Sequence, residues 1–512
     1  MKQLVLCFLI LISFVGRSQQ NLIPIHSFYK DQLFANKLEQ PYNNGSFFPT
    51  IESDYNLIPA IIDSTKRYYT FSHILYQKHL LEMRGKDAYL TISPAANINY
   101  GRDLGDTSLN RVFQNTRGIL VEGDFFKNFS FSTSFYENQA EVTRYERNYY
   151  NSNGERYIAS DSSYQVRNAV IPGAGRTKPF KIAGYDYAFA TGYFVYEPTE
   201  KLHIIAGNNT QFIGDGHRSL LLSDNSFNAP YIRLNWKISD QFSMVYMRSR
   251  HLNLLRRPEG STAENYYESK GYSVNYFTYT PTEKSAISLF EGSVWNRGDS
   301  IVSKHSHSMY YSPIPIISPL IAKDEVVSLI GINASYQLAQ HHRLYGQVAI
   351  NNLEFDKTGY QLGYRGYNFF GLTDFMVQLE YNQTSSRMYE VSNPRLNYSH
   401  YNLPLAHIKG SGVQEFILRT NYEYEHWYVN LNVLLIREIE YSPEAHLPLY
   451  ANVNRKNGIV FYENMEIGYR FNRKMNLSIF TNWTYRHSDS DLTTNVLNFG
   501  FKTALANHYK DF

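Results

Sequence analysis

Cysteine is almost absent from this 512-residue chain, since the only one is Cys7, within an apolar run near the start. We expect residues 1–18 to be a secretory signal peptide, because Lys2 precedes a short apolar stretch and two small residues, Gly16 and Ser18, flank a cleavage point. Cleavage there leaves a mature chain without cysteine. Disulfides, thiol catalysis and cysteine-based metal sites are then excluded.

Long hydrophobic runs are also absent. The apolar stretch Leu4–Val15 is well short of the roughly 20 residues that a membrane-spanning helix needs. The formal net charge is only +3, which indicates no particular partner. Aromatic residues are abundant, with 45 Tyr and 32 Phe, although the mean hydropathy is −0.42. This combination is typical of a transmembrane β-barrel, whose strands are half apolar and whose rims carry aromatic girdles.

From Ala88 onwards, apolar and polar side chains alternate in segments of about ten residues. In Ile232–Ile238 we expect Ile232 and Trp236 to face lipid and Arg233 to face the lumen, because a strand has period 2. A soluble β-sandwich gives the same alternation, but the polar second face and the number of long strands favour a barrel. The runs predict about eighteen strands, the even number typical of bacterial barrels. Their expected starts are Ala88, Asn115, Phe129, Ile182, Leu202, Pro230, Phe242, Tyr272, Ser285, Val326, Arg343, Gly359, Thr373, Val413, Trp427, Gly458, Met475 and Thr494.

The connections between these strands alternate broadly between short and long, which fits short periplasmic turns and long extracellular loops. Both termini are then periplasmic. Residues 19–87 lack the strand pattern, and helical spacing in Tyr69–Met83 and His26–Lys37 predicts short helices. We therefore expect a small periplasmic helical element over 19–87 and a barrel over 88–512.

One predicted long connection contains two glycines followed by an apolar cluster. Gly214 and Gly216 allow backbone angles closed to other residues, and Leu220–Leu222 is apolar in a loop that ought to be solvated. We expect this segment to fold inward and pack in the barrel mouth. It is then either a constriction that holds a ligand or a loop that simply plugs the lumen.

A second segment, His400–Glu415, combines His400 and His407 with the acid Glu415. A metal site is not expected, because the segment has neither a tight histidine spacing nor a cluster of acids. A buried hydrogen-bond network is the better interpretation, with His400 or Arg218 paired to Glu415.

Together the two segments resemble the Wzi-type capsule-assembly family, and within it the gliding-motility protein RemB group. The resemblance lies in the run Gly-x-Gly-x-x-Ser-Leu-Leu-Leu-Ser and the later run His-Tyr-Asn…Pro-Leu-Ala-His-x-x-Gly…Glu, and it extends in outline over most of the mature chain. The family usually has proline where this chain has Ile408. The matching motif residues are Gly214, Gly216, Arg218, Ser219, Ser223, His400, His407, Gly410 and Glu415.

The resemblance implies a periplasmic helical element followed by an eighteen-stranded barrel, without enzyme activity. It further implies a surface lectin that helps attach capsular polysaccharide. In RemB-like members the implied role is surface motility and interaction with polysaccharide.

The predicted loop 142–181 is basic and rich in tyrosine. Arginine forms bidentate bonds with carboxylates, and aromatic rings stack on the C–H faces of sugars, so an acidic polysaccharide suits this loop. An ordinary solvated loop has the same composition. The candidate ligand-binding residues are Arg144, Arg147, Tyr149, Tyr150, Arg156 and Tyr157.

No arrangement of nucleophile, base and acid stands out, so we expect no enzyme activity, no cofactor and no metal. The sequence predicts an outer-membrane barrel of a Gram-negative cell that binds or anchors surface polysaccharide and supports gliding or surface motility. Its expected partners are that polysaccharide, the lipid bilayer and other envelope motility or secretion proteins, but not nucleic acid. The alternative is a diffusion porin or a secretion-system accessory barrel, because eighteen strands are wide enough for a channel.

Overall fold

A computed structural model describes most of the chain. The described residues are 21–37, 45–51, 76, 79–109, 111–126, 128–160, 163–180, 183–256, 267–297, 312–317, 320, 326–439, 457–504 and 507–512. The expected signal peptide lies outside these ranges. None of the helices in the described residues is both long and apolar enough to cross a membrane.

Eighteen antiparallel strands form a closed barrel, in which each strand pairs with the next and the last pairs with the first. This confirms the predicted fold and strand number. The strands are β1 (Ala88–Asp103), β2 (Val112–Phe125), β3 (Phe129–Glu141), β4 (Gly184–Thr199), β5 (Leu202–Asn209), β6 (Ala229–Lys237), β7 (Phe242–Arg256), β8 (Tyr267–Thr282), β9 (Ser285–Asn296), β10 (Val326–Ala339), β11 (His342–Asn351), β12 (Thr358–Gly366), β13 (Phe375–Thr384), β14 (Val413–Tyr424), β15 (Trp427–Glu438), β16 (Gly458–Asn472), β17 (Leu477–Ser488) and β18 (Asp491–Lys502).

The predicted alternation separates the two faces of the barrel wall. On β6, Ile232 is 59% exposed and Trp236 50% exposed on the outer face, whereas Arg233 between them is fully buried. On β10, Ile332 is 48% exposed and its neighbour Asn333 only 5% exposed. The outer face is therefore apolar and the inner face polar, as period-2 strands in a membrane barrel require.

The two ends of the barrel differ in their connections. At the short-turn end, tight turns join β4 to β5 and β8 to β9; at the long-loop end, residues 210–228 and 385–412 join their strands over longer paths.

A helix, α1 (Ser27–Lys37), occupies the lumen near the short-turn end. Asp31 on this helix forms ion pairs with two inward-facing arginines, 3.7 Å from Arg365 on β12 and 3.1 Å from Arg419 on β14. Leu33 and Phe34 are buried against the barrel interior. Helix formation at His26–Lys37 was correctly predicted. The helix nevertheless lies inside the barrel and not beside it, because its charged and apolar groups both find partners on the lumen wall.

Tyr76, within the second predicted helix, is helical, but the C-terminal end of that prediction requires a correction. Residues Leu81–Arg84, at the end of the expected helix Tyr69–Met83, form a strand that pairs with β1. The sheet offers these residues backbone partners that outweigh a weak helical pattern. Residues 69–75 and 77–78 lie outside the described part of the chain.

The chain re-enters the lumen after β18. Residues 507–512, called the tail here, run along the interior, where Asn507 and Tyr509 donate hydrogen bonds to the carboxylate of Asp224 at 2.9 and 2.7 Å. Phe512 is only 3% exposed. The lumen is thus occupied by α1, the tail and parts of the long loops.

The basic loop between β3 and β4 is folded. It contains helix α2 (Arg144–Ser152), whose first turn has a capping box between Thr143 and Glu146. Short strands follow at Glu155–Ser160, Ser163–Arg167, Ala169–Ile171 and Gly175–Phe180.

Candidate functional site

The glycine-containing segment, residues 211–228, folds into the barrel. Phe212–Ile213 pairs antiparallel with Phe47–Phe48, which also lies in the lumen. The backbone N–H of Gly214 donates to the carbonyl of Ser46 at 2.9 Å. This segment is called the inner loop below, and its inward path agrees with the expectation from its apolar cluster.

The apolar cluster of the inner loop is completely packed. Leu220 and Leu221 are fully buried and Leu222 is 3% exposed. The hydroxyls of Tyr389 and Tyr398 donate to the carbonyls of Leu220 and Leu221 at 3.0 and 2.8 Å. A buried loop needs such partners, because an unpaired carbonyl away from water is costly.

Gly214 and Gly216 allow the inner loop to approach the barrel wall. A Cβ at Gly214 would lie 2.4 Å from the amide nitrogen of Gln347, and the φ of Gly214 is +117°. A Cβ at Gly216 would lie 2.7 Å from a carboxylate oxygen of Glu380. Both positions therefore require glycine for packing, and Gly214 requires it for its backbone angle as well.

Arg218 is the centre of a buried charge cluster. Its guanidinium lies 3.1 Å from Glu415 on β14 and 3.1 Å from Asp511 in the tail. His407 lies 2.9 Å from the other oxygen of Glu415, and His217 lies 2.8 Å from Asp511. These five residues are called the Arg218 cluster. It joins the inner loop, the tail, the second motif segment and the barrel wall at one point.

The electrostatics of the cluster favour its charged forms. Burial alone would raise the pKa of Asp511, but Arg218 and His217 hold it below its ordinary value. Burial would also lower the pKa of Arg218, and the two carboxylates instead raise it. Glu380 accepts the backbone N–H groups of His217 and Arg218 at 2.7 and 3.0 Å. The cluster is therefore an anchor built from mutually compensating charges.

The two motif serines stabilise the inner loop locally. The Ser219 hydroxyl accepts the N–H groups of Leu221 and Leu222, each at 3.2 Å. The backbone N–H of Ser223 donates to the carbonyl of Leu405 at 2.6 Å, which ties the inner loop to the second motif segment.

Of the two histidines in the second segment, only His407 contacts Glu415. His400 accepts the N–H of Leu252 at Nδ1, 2.9 Å away, and its Nε2 lies 3.1 Å from the carbonyl of Asn228. The expected pairing with Glu415 is therefore made by Arg218 and not by His400. The reason is that the His400 ring is held in a separate pocket, stacked on His251 at 4.7 Å between centroids.

Gly410 ends the tight turn that begins at His407. Its φ is +70°, and its N–H donates to the His407 carbonyl at 2.8 Å. Ile408, at the position where the resemblance expects proline, is 2% exposed and packs in the apolar group that includes Phe512.

The six candidate residues of the basic loop differ in exposure and are described here as three pairs. Arg144 is exposed and lies 3.8 Å from Asp491, and Arg147 is half-buried. Tyr150 and Arg156 are each 5% exposed. Tyr149 and Tyr157 are partly buried. The Tyr149 ring stacks on Phe512 with the ring centroids 3.9 Å apart, and the Tyr157 hydroxyl donates a hydrogen bond to Glu155 at 2.7 Å. Arg144 and Arg147 are thus the members best placed to meet a ligand from outside.

Sequence reasoning did not identify Asp511, Glu380 or Gln347 as parts of the site. Glu380 and Gln347 face inward on strands, and an inward polar residue is the only available signal. Asp511 lies beyond the last strand, where no pattern indicates a path into the lumen. Among the described residues, no group of three or more His, Cys, Asp or Glu side chains is arranged to hold a metal ion.

The fold is similar to that of solved outer-membrane barrels. One is the Escherichia coli outer-membrane protein Wzi, described as a carbohydrate-binding β-barrel involved in group 1 capsule assembly. It superposes with a TM-score of 0.53 at 12% identity, and the match covers 96% of this chain and all of Wzi. Pseudomonas aeruginosa OprD gives a TM-score of 0.43 at 10% identity, with 81% of this chain and 96% of OprD covered. Pseudomonas aeruginosa OpdQ gives a TM-score of 0.41 at 10% identity, with 82% of this chain and 99% of OpdQ covered. No protein-family profile and no curated protein sequence matches the chain. At this identity the similarity establishes the fold.

Proposed function

We propose that this protein is a non-enzymatic outer-membrane barrel that binds or anchors surface polysaccharide at its long-loop end. The long-loop end is then extracellular and the short-turn end periplasmic, as in bacterial barrels generally. The fold supports the membrane location, because exposed apolar residues cover the outside of a closed barrel whose lumen is polar.

The observation that carries the proposal is the filled lumen at the long-loop end. The buried leucines of the inner loop and the Arg218 cluster fix that loop across the interior. A rigid base under the loops provides a defined surface, and binding surfaces benefit from this preorganisation.

The cationic residues at that surface suit an acidic glycan. Arg144 has a side chain that is 48% exposed, and Arg147 follows one turn later on the same helix. Arginine binds carboxylate groups with two parallel hydrogen bonds. Wzi, which shares the fold, is described as binding carbohydrate, and the motif resemblance points to the same class of ligand.

The test is the share of surface polysaccharide retained on cells. Cells that carry Arg144→Ala with Arg147→Ala should release more polysaccharide into the medium while total synthesis stays constant. A matched control removes two charges at the opposite end, Arg84→Ala with Lys201→Ala, and should leave retention unchanged. Unchanged retention in the first variant excludes α2 from binding, and unchanged retention after deletion of the whole gene contradicts the proposal.

The association with gliding rests on the resemblance of the two motifs to the RemB group. Colony spreading of the deletion strain tests it separately, because glycan retention and motility are independent measurements. A loss of retention with normal spreading would keep the anchoring function and remove the role in motility.

The alternative, a diffusion porin or a secretion accessory, is favoured by one feature. A polar cavity of about 340 Å³ remains beside the segments that fill the lumen. Large conductance steps of the unmodified protein in planar bilayers would favour this alternative over anchoring.

A further inference from the structure

The lumen wall has a filled half and an open half. On the filled half, inward polar residues such as Gln347, Gln361 and Glu380 are at most 5% exposed and form hydrogen bonds with the backbone of the inner loop. The open half is formed by β14–β18 and β1, where the cavity of about 340 Å³ separates the wall from α1 and the tail. Its volume falls at the lower end of the range, about 300–1,000 Å³, that is usual for small-ligand sites.

A continuous row of polar side chains, four of them carboxamides, crosses the open half. Asn421 pairs with Asn430, and Asn430 with Glu466, on successive strands. Glu466 pairs with Asn482, and Asn482 with Asn498. These five cross-strand neighbours, called the asparagine belt, all line the cavity. Strand register therefore places four amide groups and one carboxylate side by side on the inner face.

The belt ends at a glycine on β1, and the last member of the belt packs against it. Asn498 is opposite Gly101 in the register, and its Oδ1 is buried without a hydrogen-bond partner in the structure. A second carboxamide row lies alongside, in which Asn464 pairs with Asn432 and donates to the hydroxyl of Thr484 at 2.8 Å. Two rows of carboxamides, a group that has both donors and an acceptor, therefore border the cavity.

The charges around the belt are paired. Glu466 accepts from the ammonium of Lys502 at 2.6 and 2.7 Å. Arg419 is paired with Asp31, and Arg470 lies 2.6 Å from Glu423. Each of these charges beside the belt is therefore neutralised by a partner, which disfavours selection of an ion at the belt.

Aromatic rings complete the lining. Tyr428, Tyr462 and Phe480 border the same cavity. A ring beside several carboxamides matches a sugar, because a pyranose has apolar C–H faces and a rim of hydroxyl groups that both donate and accept hydrogen bonds.

We propose that the asparagine belt and its cavity form a binding site for a small neutral saccharide of one or two rings. The site is separate from the outer surface proposed to hold polysaccharide, and it does not depend on that function. Asn430 and Asn482 lie on either side of Glu466 in the centre of the belt, and we assign them the principal hydrogen bonds to the sugar.

The test uses the full-length barrel purified in detergent. Glucose, maltose and lactose are the neutral probes and glucuronate is the charged probe, with binding measured by saturation-transfer NMR and calorimetric titration. We expect saturable binding of at least one neutral probe and weaker binding of glucuronate. The double variant Asn430→Ala/Asn482→Ala should weaken that binding by at least about tenfold, because two hydrogen bonds are lost.

A matched control distinguishes the site from a general effect of losing amides. Asn235→Ala removes a half-buried lumen amide on β6, outside the cavity, and should bind like the unmodified protein. Circular dichroism and heat-dependent gel migration verify that the barrel is folded. Should the double variant fail to fold, Asn464→Tyr leaves the belt intact, fills the cavity and should abolish binding.

Two results would overturn the proposal. One is the absence of saturable binding for every neutral probe, which identifies the cavity as solvated lumen only. The other is equal affinity in the folded double variant and the unmodified protein. Neither result tests polysaccharide retention, which is measured separately on cells that carry the Arg144 and Arg147 variants.

Discussion

The guanidinium of Arg218 lies 3.1 Å from the carboxylate of Glu415, although 197 residues separate the two in the chain. Arg218 has a side chain that is 3% exposed, and that of Glu415 is fully buried. Neither charge is tolerable alone at such a depth, because burying an unpaired ion costs far more than burying a paired one. The pair therefore makes the inward path of the inner loop conditional on correct docking against β14.

Replacing Arg218 should loosen the inner loop without opening the barrel. Arg218→Met leaves the carboxylates of Glu415 and Asp511 without their shared cation, and removal of one partner from a buried pair typically costs about 3–5 kcal/mol. The free energy of opening the inner loop should fall by this amount, so hydrogen–deuterium exchange over residues 211–228 should become faster. Exchange in the barrel strands should stay slow.

The control for this variant is Arg387→Ala. Arg387 is 50% exposed and makes two ion pairs at 2.8 Å, with Asp356 and Glu390. Exposed pairs contribute about 0–1 kcal/mol, so the inner loop should exchange as in the unmodified protein. Equal exchange in both variants would show that the Arg218 cluster does not anchor the loop.

Two glycine substitutions separate steric conflict from backbone strain. Gly214 and Gly371 both have positive φ, at +117° and +74°. A Cβ added at Gly214 would lie 2.4 Å from the side chain of Gln347 on the barrel wall. A Cβ added at Gly371 would have no heavy atom within 4 Å. Alanine at Gly371 should cost about 1–2 kcal/mol from strain alone. Alanine at Gly214 should cost more and should expose the inner loop to protease. A similar loss of thermal stability in the two variants would contradict close packing at Gly214.

Acid should weaken the second motif segment through His400. Burial lowers the pKa of His400 to about 3, whereas an unfolded histidine titrates near about 6.5. The released segment therefore binds a proton at a higher pH than the docked segment. Docking becomes less favourable as the pH falls below about 6.5, and this destabilisation grows until about pH 3. Hydrogen exchange of residues 399–408 should accelerate between pH 7 and pH 4.5.

The matched variant is His400→Gln, which retains a hydrogen-bond donor for the Asn228 carbonyl and does not titrate. It should exchange faster than the unmodified protein at pH 7 but with a shallower dependence on pH. The same slope in both proteins would assign the acid response to other groups, such as His217, whose pKa burial also lowers.

The barrel wall was predictable from the sequence, whereas its contents were not. Alternation such as that of Ile232, Arg233 and Trp236 reflects a local geometric constraint, because each residue must face either lipid or lumen. The lumen is filled through contacts with no local signal. The N–H of Ser27, for instance, donates to the side chain of Asn507, 480 residues away. The leucines of the inner loop indicated burial, but no sequence feature identified the tail as the partner of Arg218.

The position of α1 in the lumen predicts a change in conductance when its ion pairs are reversed. Asp31 holds the helix to Arg365 and Arg419, and Tyr367 donates to the Asp31 carbonyl at 2.9 Å. Asp31→Arg places a third cation against two arginines and should displace the helix from the short-turn end. In planar bilayers this variant should show larger and more frequent open steps than the unmodified protein. Asp31→Asn, which removes the attraction without adding repulsion, should give an intermediate increase. If both variants conduct like the unmodified protein, α1 does not limit passage, and the inner loop or the tail closes the barrel.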